Sequence, residues 1–240
     1  MKIVVFGASG PTGLNVVRQA IGSGLEVTAA VRRPDDFPIA DPLLRVVGAD
    51  ARDSDSVAAA VAGHDAVISV LGGSYTLKPV SIFTEGIGNI MGAMALHGVR
   101  RLVCVSSVCV AGTAAPGETL LFRTVLLPIL LTLGRTAYAD MGRMEAAVRN
   151  SGLDWTIVRA SGLFDGTDIT DYTLAPSSIP GRYTSRSDLA DALLRVTTEN
   201  CHVGASVDVV TTTGTPRLSD SFQRRRPTTR PGADLSVDRK

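Results

Sequence analysis

Cysteine is scarce. Only Cys104, Cys109 and Cys201 carry thiols in the 240-residue chain. So low and odd a count, without regular spacing, argues against a disulfide framework and fits a reducing compartment. Cys104 and Cys109 flank a strand end and read as small apolar fillers. Histidine is as rare: His64, His97 and His202 fall at predicted helix ends or loops without metal-ligand spacing, so no metal site is expected. No G-x-S-x-G elbow and no clustered carboxylate pair appears. Aromatics make up 5% of residues and the formal net charge is +1, which leaves no stacking surface and no electrostatic case for nucleic acid. Long apolar runs are missing too. The longest, Thr119 to Leu133, contains Arg123 and Pro128 and falls short of the ~20 residues that cross a bilayer. It reads as a buried or lid-forming helix, or as a subunit contact. No membrane partner is expected. Met1-Lys2 leads straight into a strand, so the expected location is cytoplasmic.

What is abundant is apolar and glycine-punctuated. Hydrophobic residues make up 45% of the chain, enough for a sizeable core. Lys2 to Phe6 is a run of strand formers, Gly7, Gly10 and Gly13 follow, and an apolar-periodic helix starts at once with Leu14, Val16, Val17 and Ala20. This is a strand, a tight turn and a helix N-terminus. Gly7 suits the turn, Gly10 lets backbone approach a pyrophosphate, and Gly13 lets the helix pack on the strand. The helix start favours an anion. Gly7, Ser9, Gly10, Pro11, Thr12 and Gly13 are therefore candidate cofactor-binding residues. The spacing is G-x-x-G-x-x-G, and its place directly after β1 gives it weight.

Glu26 to Val31 reads as β2, followed by Arg32-Arg33-Pro34. The end of β2 faces the adenosine ribose in dinucleotide folds, where an acid selects NAD and arginine accommodates a 2′-phosphate. Arg32 and Arg33 thus favour NADP(H), with NAD(H) left open. Residues 45–50 read as β3, with Asp50 either near the adenine or a turn residue. Residues 53–62 form a helix capped by Asp53 or Ser54. Asp65 to Gly73 is β4 with a glycine-rich end, and Leu71 and Gly72 are candidates for cofactor contact. A helix spans Val80 to His97. Arg101 to Ser107 is β5, whose terminal Ser106 and Ser107 are the best-placed hydroxyls for nicotinamide or substrate. Tyr138 to Asn150 is a helix and Leu153 to Arg159 is β6. Residues 165–182 read as an irregular loop. Ser187 caps a last helix, Ala205 to Val210 is a final strand, and the polar stretch from 215 to 240 reads as disordered. The fold class is α/β, a Rossmann-type doubly wound, mostly parallel sheet with helices on both faces. It spans 1–214, with about 160–212 forming a small substrate-side part.

Several segments carry a family resemblance in order: Gly7-x-x-Gly10-x-x-Gly13, Val31-Arg32, residues 47–50, residues 69–72, Ser106-Ser107, Arg143-Met144-Glu145, Ser151 to Arg159, and Ser185 to Ala190. Over about residues 1–212 the chain resembles an atypical short-chain dehydrogenase/reductase of the flavin reductase, or biliverdin-IXβ reductase, type. The resemblance implies NAD(P)H binding and hydride delivery to a flavin, quinone or similar planar acceptor. The departures concern catalysis. Standard members pair Tyr-x-x-x-Lys; here Tyr138 is followed four residues later by Gly142, and Arg143 stands one position late. The histidine that the flavin-reductase type carries after β6 is replaced by Ser161-Gly162-Leu163. The cofactor then supplies the chemistry and the protein supplies binding and orientation, with Ser107 the candidate catalytic, substrate-positioning residue. The expectation is an NADPH-dependent reductase, monomer or weak homodimer, acting on a small-molecule electron acceptor. The alternative is a non-catalytic NADP(H)-binding redox sensor acting through a protein partner.

Overall fold

The computed structural model describes residues 1–73, 78–112, 120–176 and 179–216. β1 (Lys2–Phe6), β2 (Glu26–Val31), β3 (Leu44–Gly48), β4 (Ala66–Ser69), β5 (Arg101–Ser107), β6 (Asp154–Ala160), β8 (Tyr172–Ala175) and β10 (Ala205–Thr211) form one sheet in the order β3-β2-β1-β4-β5-β6-β10-β8. Every pairing is parallel except that of β8 with β10. β7 (Gly162–Phe164) and β9 (Tyr183–Ser185) make a separate parallel pair. The helices are α1 (Pro11–Gly22), α2 (Ser54–Val61), α3 (Ile82–His97), α4 (Leu127–Leu133), α5 (Arg135–Arg149) and α6 (Arg186–Thr198).

Strand alternation assigns each side chain to a face. Ile3 and Val5 of β1 pack with Val16, Val17 and Ala20 of α1 and Leu189 and Leu193 of α6. Val4 and Phe6 face the other way, onto Val57 of α2, Ile87 and Ile90 of α3 and Val148 of α5. Central strands are buried on both sides, which is why they read as unbroken apolar runs. Burying each such side chain contributes about 1.5–3 kcal/mol. This is the doubly wound arrangement the sequence pattern leads one to expect.

Local differences have local causes. Residues 165–182 were expected to be irregular, yet Tyr172–Ala175 adds an antiparallel edge strand to β10. α6 is capped by Ser185, whose side chain accepts from the Asp188 N–H, and not by Ser187. Ser187 is buried and donates to the Gly166 carbonyl. α5 starts at Arg135, before Tyr138. The apolar run breaks into a π-helical turn at Phe122–Leu126 and the short α4; Thr119 lies outside the described residues, as do residues 217–240 of the expected polar tail. Asp53 caps α2 as expected.

Candidate functional site

Register places the candidate residues at one edge. Phe6 pairs with Ala30 and Ser69, Val31 with Gly48, and Ser107 with Ala160. Gly7, Arg32, Asp50, Leu71 and Ser107 therefore all follow, or end, strands at the carboxyl edge of the sheet, where open α/β sheets take their ligands.

Each glycine of the first loop has a distinct geometric reason. Gly7 has φ +79°, and a Cβ there would lie 2.6 Å from the Val70 carbonyl oxygen. The loop after β1 thus rests on the backbone after β4. A Cβ on Gly13 would stand 2.3 Å from the Gly7 oxygen and 2.6 Å from the Ala8 Cα, so the helix can approach the strand only with glycine there. A Cβ on Gly10 would meet only the Gly7 oxygen, at 3.3 Å. Gly10 also caps α1 with extended backbone and no side-chain cap bond, and Pro11 follows at the start of the helix. A helix cannot pair its own first-turn N–H groups, here those of Thr12 and Gly13. Ser9 and Pro11 are exposed beside them.

Arg32 and Arg33 are exposed just beyond β2. Arg33 pairs at 3.3 Å with Asp36 in the turn Pro34–Asp36, a contact exposed enough to be worth at most about 1 kcal/mol. Asp50 lies past the end of β3, where its carboxylate accepts from the Arg52 N–H at 3.0 Å; the structure shows the turn role. The Leu71 side chain is pressed onto α3 at Gly86, while Gly72 is exposed.

The two serines part company. Ser107 is half-buried and accepts from the Cys109 N–H at 3.2 Å, which caps the turn Val108–Ala111 and leaves its own hydroxyl proton to donate. Ser106 shares the face of Leu102 and Cys104 and is buried beneath α5. Both serines end β5 at the carboxyl edge, and the strand pleat turns Ser106 to the α5 face and Ser107 to the opposite one. Ser106 lies beside Glu145. That carboxylate is buried and held by Arg159 through Nε at 2.9 Å and a second nitrogen at 2.6 Å, and by Arg149 at 2.6 Å. Burial alone would raise its pKa, but the hydrogen bonds and charge of Arg159 and the hydrogen bond from Arg149 outweigh it, and the net direction is down. The buried Ser106 hydroxyl makes no hydrogen bond among the described residues. Nearby Cys104 is fully buried, which pushes its thiol up to about 12 and leaves it an inert filler.

Tyr138 and Arg143 both lie on α5. The Tyr138 ring lies against Gly134, where a Cβ would come within 2.4 Å of it. Arg143 pairs at 3.0 Å with the buried Asp140 and donates to the Val80 carbonyl. Asp140 went unnoticed in the sequence. Its carboxylate accepts from the Phe83 N–H at 2.9 Å and from Thr84, and so caps α3 from across the helix pair. The i,i+3 spacing of Asp140 and Arg143 was the only available signal.

A cavity of about 260 Å³ opens beside the loop that follows β7, lined by Phe164, Asp165, Thr170, Ser185 and Gly214. Another of about 260 Å³, between Lys2, Glu26, Leu44 and His64, lies at the amino edge of the strands, away from the glycine loop.

The sequence profile of the NAD(P)H-binding family matches residues 7–200. The chain belongs to this family. As an NAD(P)H-binding protein its cofactor class is settled, and the loop fits it: a cradle at Gly10 that a Cβ would fill, and helix N–H groups for the pyrophosphate. The chain is 33% identical to the chloroplastic Arabidopsis thaliana protein At2g34460 over 172 residues, 68% of this chain and 59% of that one, so it spans well under two thirds of that curated relative. A Veillonella parvula short-chain dehydrogenase/reductase in complex with NADP superposes with TM-score 0.73 at 18% identity, covering 89% of this chain and 95% of that chain. ChuY, an anaerobillin reductase from Escherichia coli O157:H7, gives 0.69 at 19%, covering 90% and 100%. At such identity the likeness speaks for the fold, and it agrees with the short-chain dehydrogenase/reductase resemblance.

Proposed function

We propose that this NAD(P)H-binding oxidoreductase is an NADPH-dependent reductase of a flavin, quinone or similar planar acceptor. The observation that carries the reading is the glycine cradle at the carboxyl edge of the sheet, beside a helix whose Arg143 pairs with Asp140. Bound NADPH supplies a hydride. Gly7, Gly10 and Gly13 shape the pyrophosphate seat, with the Thr12 and Gly13 N–H groups as donors and Ser9 and Pro11 at its rim. Arg32 and Arg33 hold the 2′-phosphate, and Arg33 gives up its weak pair with Asp36 to do so. Leu71 and Gly72 border the nicotinamide side. Ser107 orients the acceptor by its free proton. The 260 Å³ cavity after β7 is below the ~300–1,000 Å³ of usual ligand pockets, so it holds only part of an acceptor. An acceptor whose reduced form takes its proton from water needs no protein acid, which suits this edge.

ChuY, an anaerobillin reductase, supports a conjugated planar acceptor by its shared fold. The test is NADPH oxidation by the purified chain with FMN and with menadione, followed by the fall in NADPH absorbance. Turnover with one class is expected; no oxidation with any flavin or quinone contradicts the reading. The locked Arg143 equally favours a second reading, an NADP(H)-binding redox sensor without turnover. That reading predicts tight binding, no oxidation, and a partner protein retained only in one redox state.

A further inference from the structure

The helical segment at residues 120–133 turns its apolar side chains to water. Leu120 and Leu121 are 76% and 71% exposed, and Val125, Ile129, Leu130 and Leu133 are exposed too. Among its described side chains only Leu127 is buried. A contiguous apolar patch of this kind marks a docking face.

Charge and hydrogen bonding point to what covers it. Residues 119–139 contain Arg123 and Arg135 and no aspartate or glutamate. Within the segment a second copy would offer those arginines only arginines, Glu118 being the nearest acid before it and Asp140 being buried and paired with Arg143. An anionic surface complements them. The segment's hydroxyls also make no demand on water: Thr124 donates to the Leu120 carbonyl at 2.9 Å and Thr132 to the Pro128 carbonyl at 2.7 Å. Back-bonding of this kind satisfies hydroxyls in hydrocarbon surroundings. Among the described residues no helix is long and apolar enough to cross a membrane, but a helix lying in the interface needs no such length.

We propose that residues 120–133 dock in the plane of an anionic phospholipid surface. The leucines enter the acyl boundary, and Arg123 and Arg135 meet the headgroup phosphates.

The test is sedimentation of the full chain with vesicles of phosphatidylcholine alone and of phosphatidylcholine mixed with phosphatidylglycerol. Wild type is expected to bind the mixed vesicles and to release with salt. Arg123→Ala and Arg135→Ala should each weaken binding about fivefold, and Leu121→Glu/Leu130→Glu should abolish it while thermal unfolding stays unchanged. If that double variant unfolds early, Leu120→Glu at the most exposed position makes the same test. Failure of wild type to bind either vesicle overturns the proposal. So does full binding by the leucine variants, which would move the lipid contact to the basic run Arg224–Arg226. A dimer in the absence of lipid that the leucine variants dissociate, with no vesicle binding, would assign the face to a second copy.

Discussion

A β-carbon at Gly13 would stand 2.3 Å from the Gly7 oxygen, whereas one at Gly10 would meet that oxygen alone, at 3.3 Å. The two glycines should therefore fail differently. Gly13→Ala overpacks the strand–helix contact, at a cost of about 1–3 kcal/mol, and thermal unfolding should show a Tm lowered by roughly 2–12 °C for a chain of this size. Gly10→Ala should leave the Tm nearly unchanged and weaken NADPH binding at least about tenfold by filling the pyrophosphate approach. The arginines act on affinity alone. If they hold the 2′-phosphate as proposed, Arg32→Ala and Arg33→Ala should each weaken NADPH binding by about 1.5–3 kcal/mol and leave NADH binding unchanged; calorimetric Kd values for both nucleotides check this. The strand–turn–helix geometry of the glycine loop was legible because glycine spacing directly after a strand is a local signal. That Ser106 turns to the face covered by α5 was not legible, because α5 lies some thirty residues further along the chain.

At the scale of elements, α5 is bound to the rest of the fold by two buried carboxylates. Asp140 caps α3 and Glu145 pins Arg159 of β6. Asp140→Ala would strand the Phe83 N–H in the interior, at about 1–3 kcal/mol, read by denaturant unfolding. Glu145→Gln should cost at least as much, because the largely buried Arg159 loses its bidentate carboxylate partner and keeps only the Asp208 charge beside it. Glu145 also carries a pH signature. Its folded pKa is depressed, so its contribution is complete above the unfolded carboxyl value of about 4.3 and is lost as pH falls through the lower folded value. The acid limb of a stability–pH profile should be steeper in wild type than in Glu145→Gln. Helix and strand identities were legible from periodicity. The cap of α6 slipped by two residues because Ser185 and Ser187 are equally suitable by type, and only the packed loop at Gly166 decides between them. Edge strand β8 was hidden because its partner, β10, lies some thirty residues on, and antiparallel pairing at an edge leaves little local pattern.

Across the whole molecule, strand order β3-β2-β1-β4-β5-β6 reverses direction between β1 and β4. That switch point seats the glycine loop against Val70 and gathers Gly7, Arg32, Leu71 and Ser107 along one edge. The architecture was readable because repeated strand–helix units leave few topologies open. The exposure of residues 120–133 was not, since an apolar run reads alike whether it is buried or turned to an outside partner. On the proposed reading, this edge holds the dinucleotide by its glycines and selects the phosphorylated form by Arg32 and Arg33. Calorimetric titration of the full chain with NADPH and NADH, beside the Arg32→Ala/Arg33→Ala variant, tests it most directly. Tighter binding of NADPH in wild type, with the preference erased in the variant, is the predicted result; equal or tighter binding of NADH by wild type would contradict it.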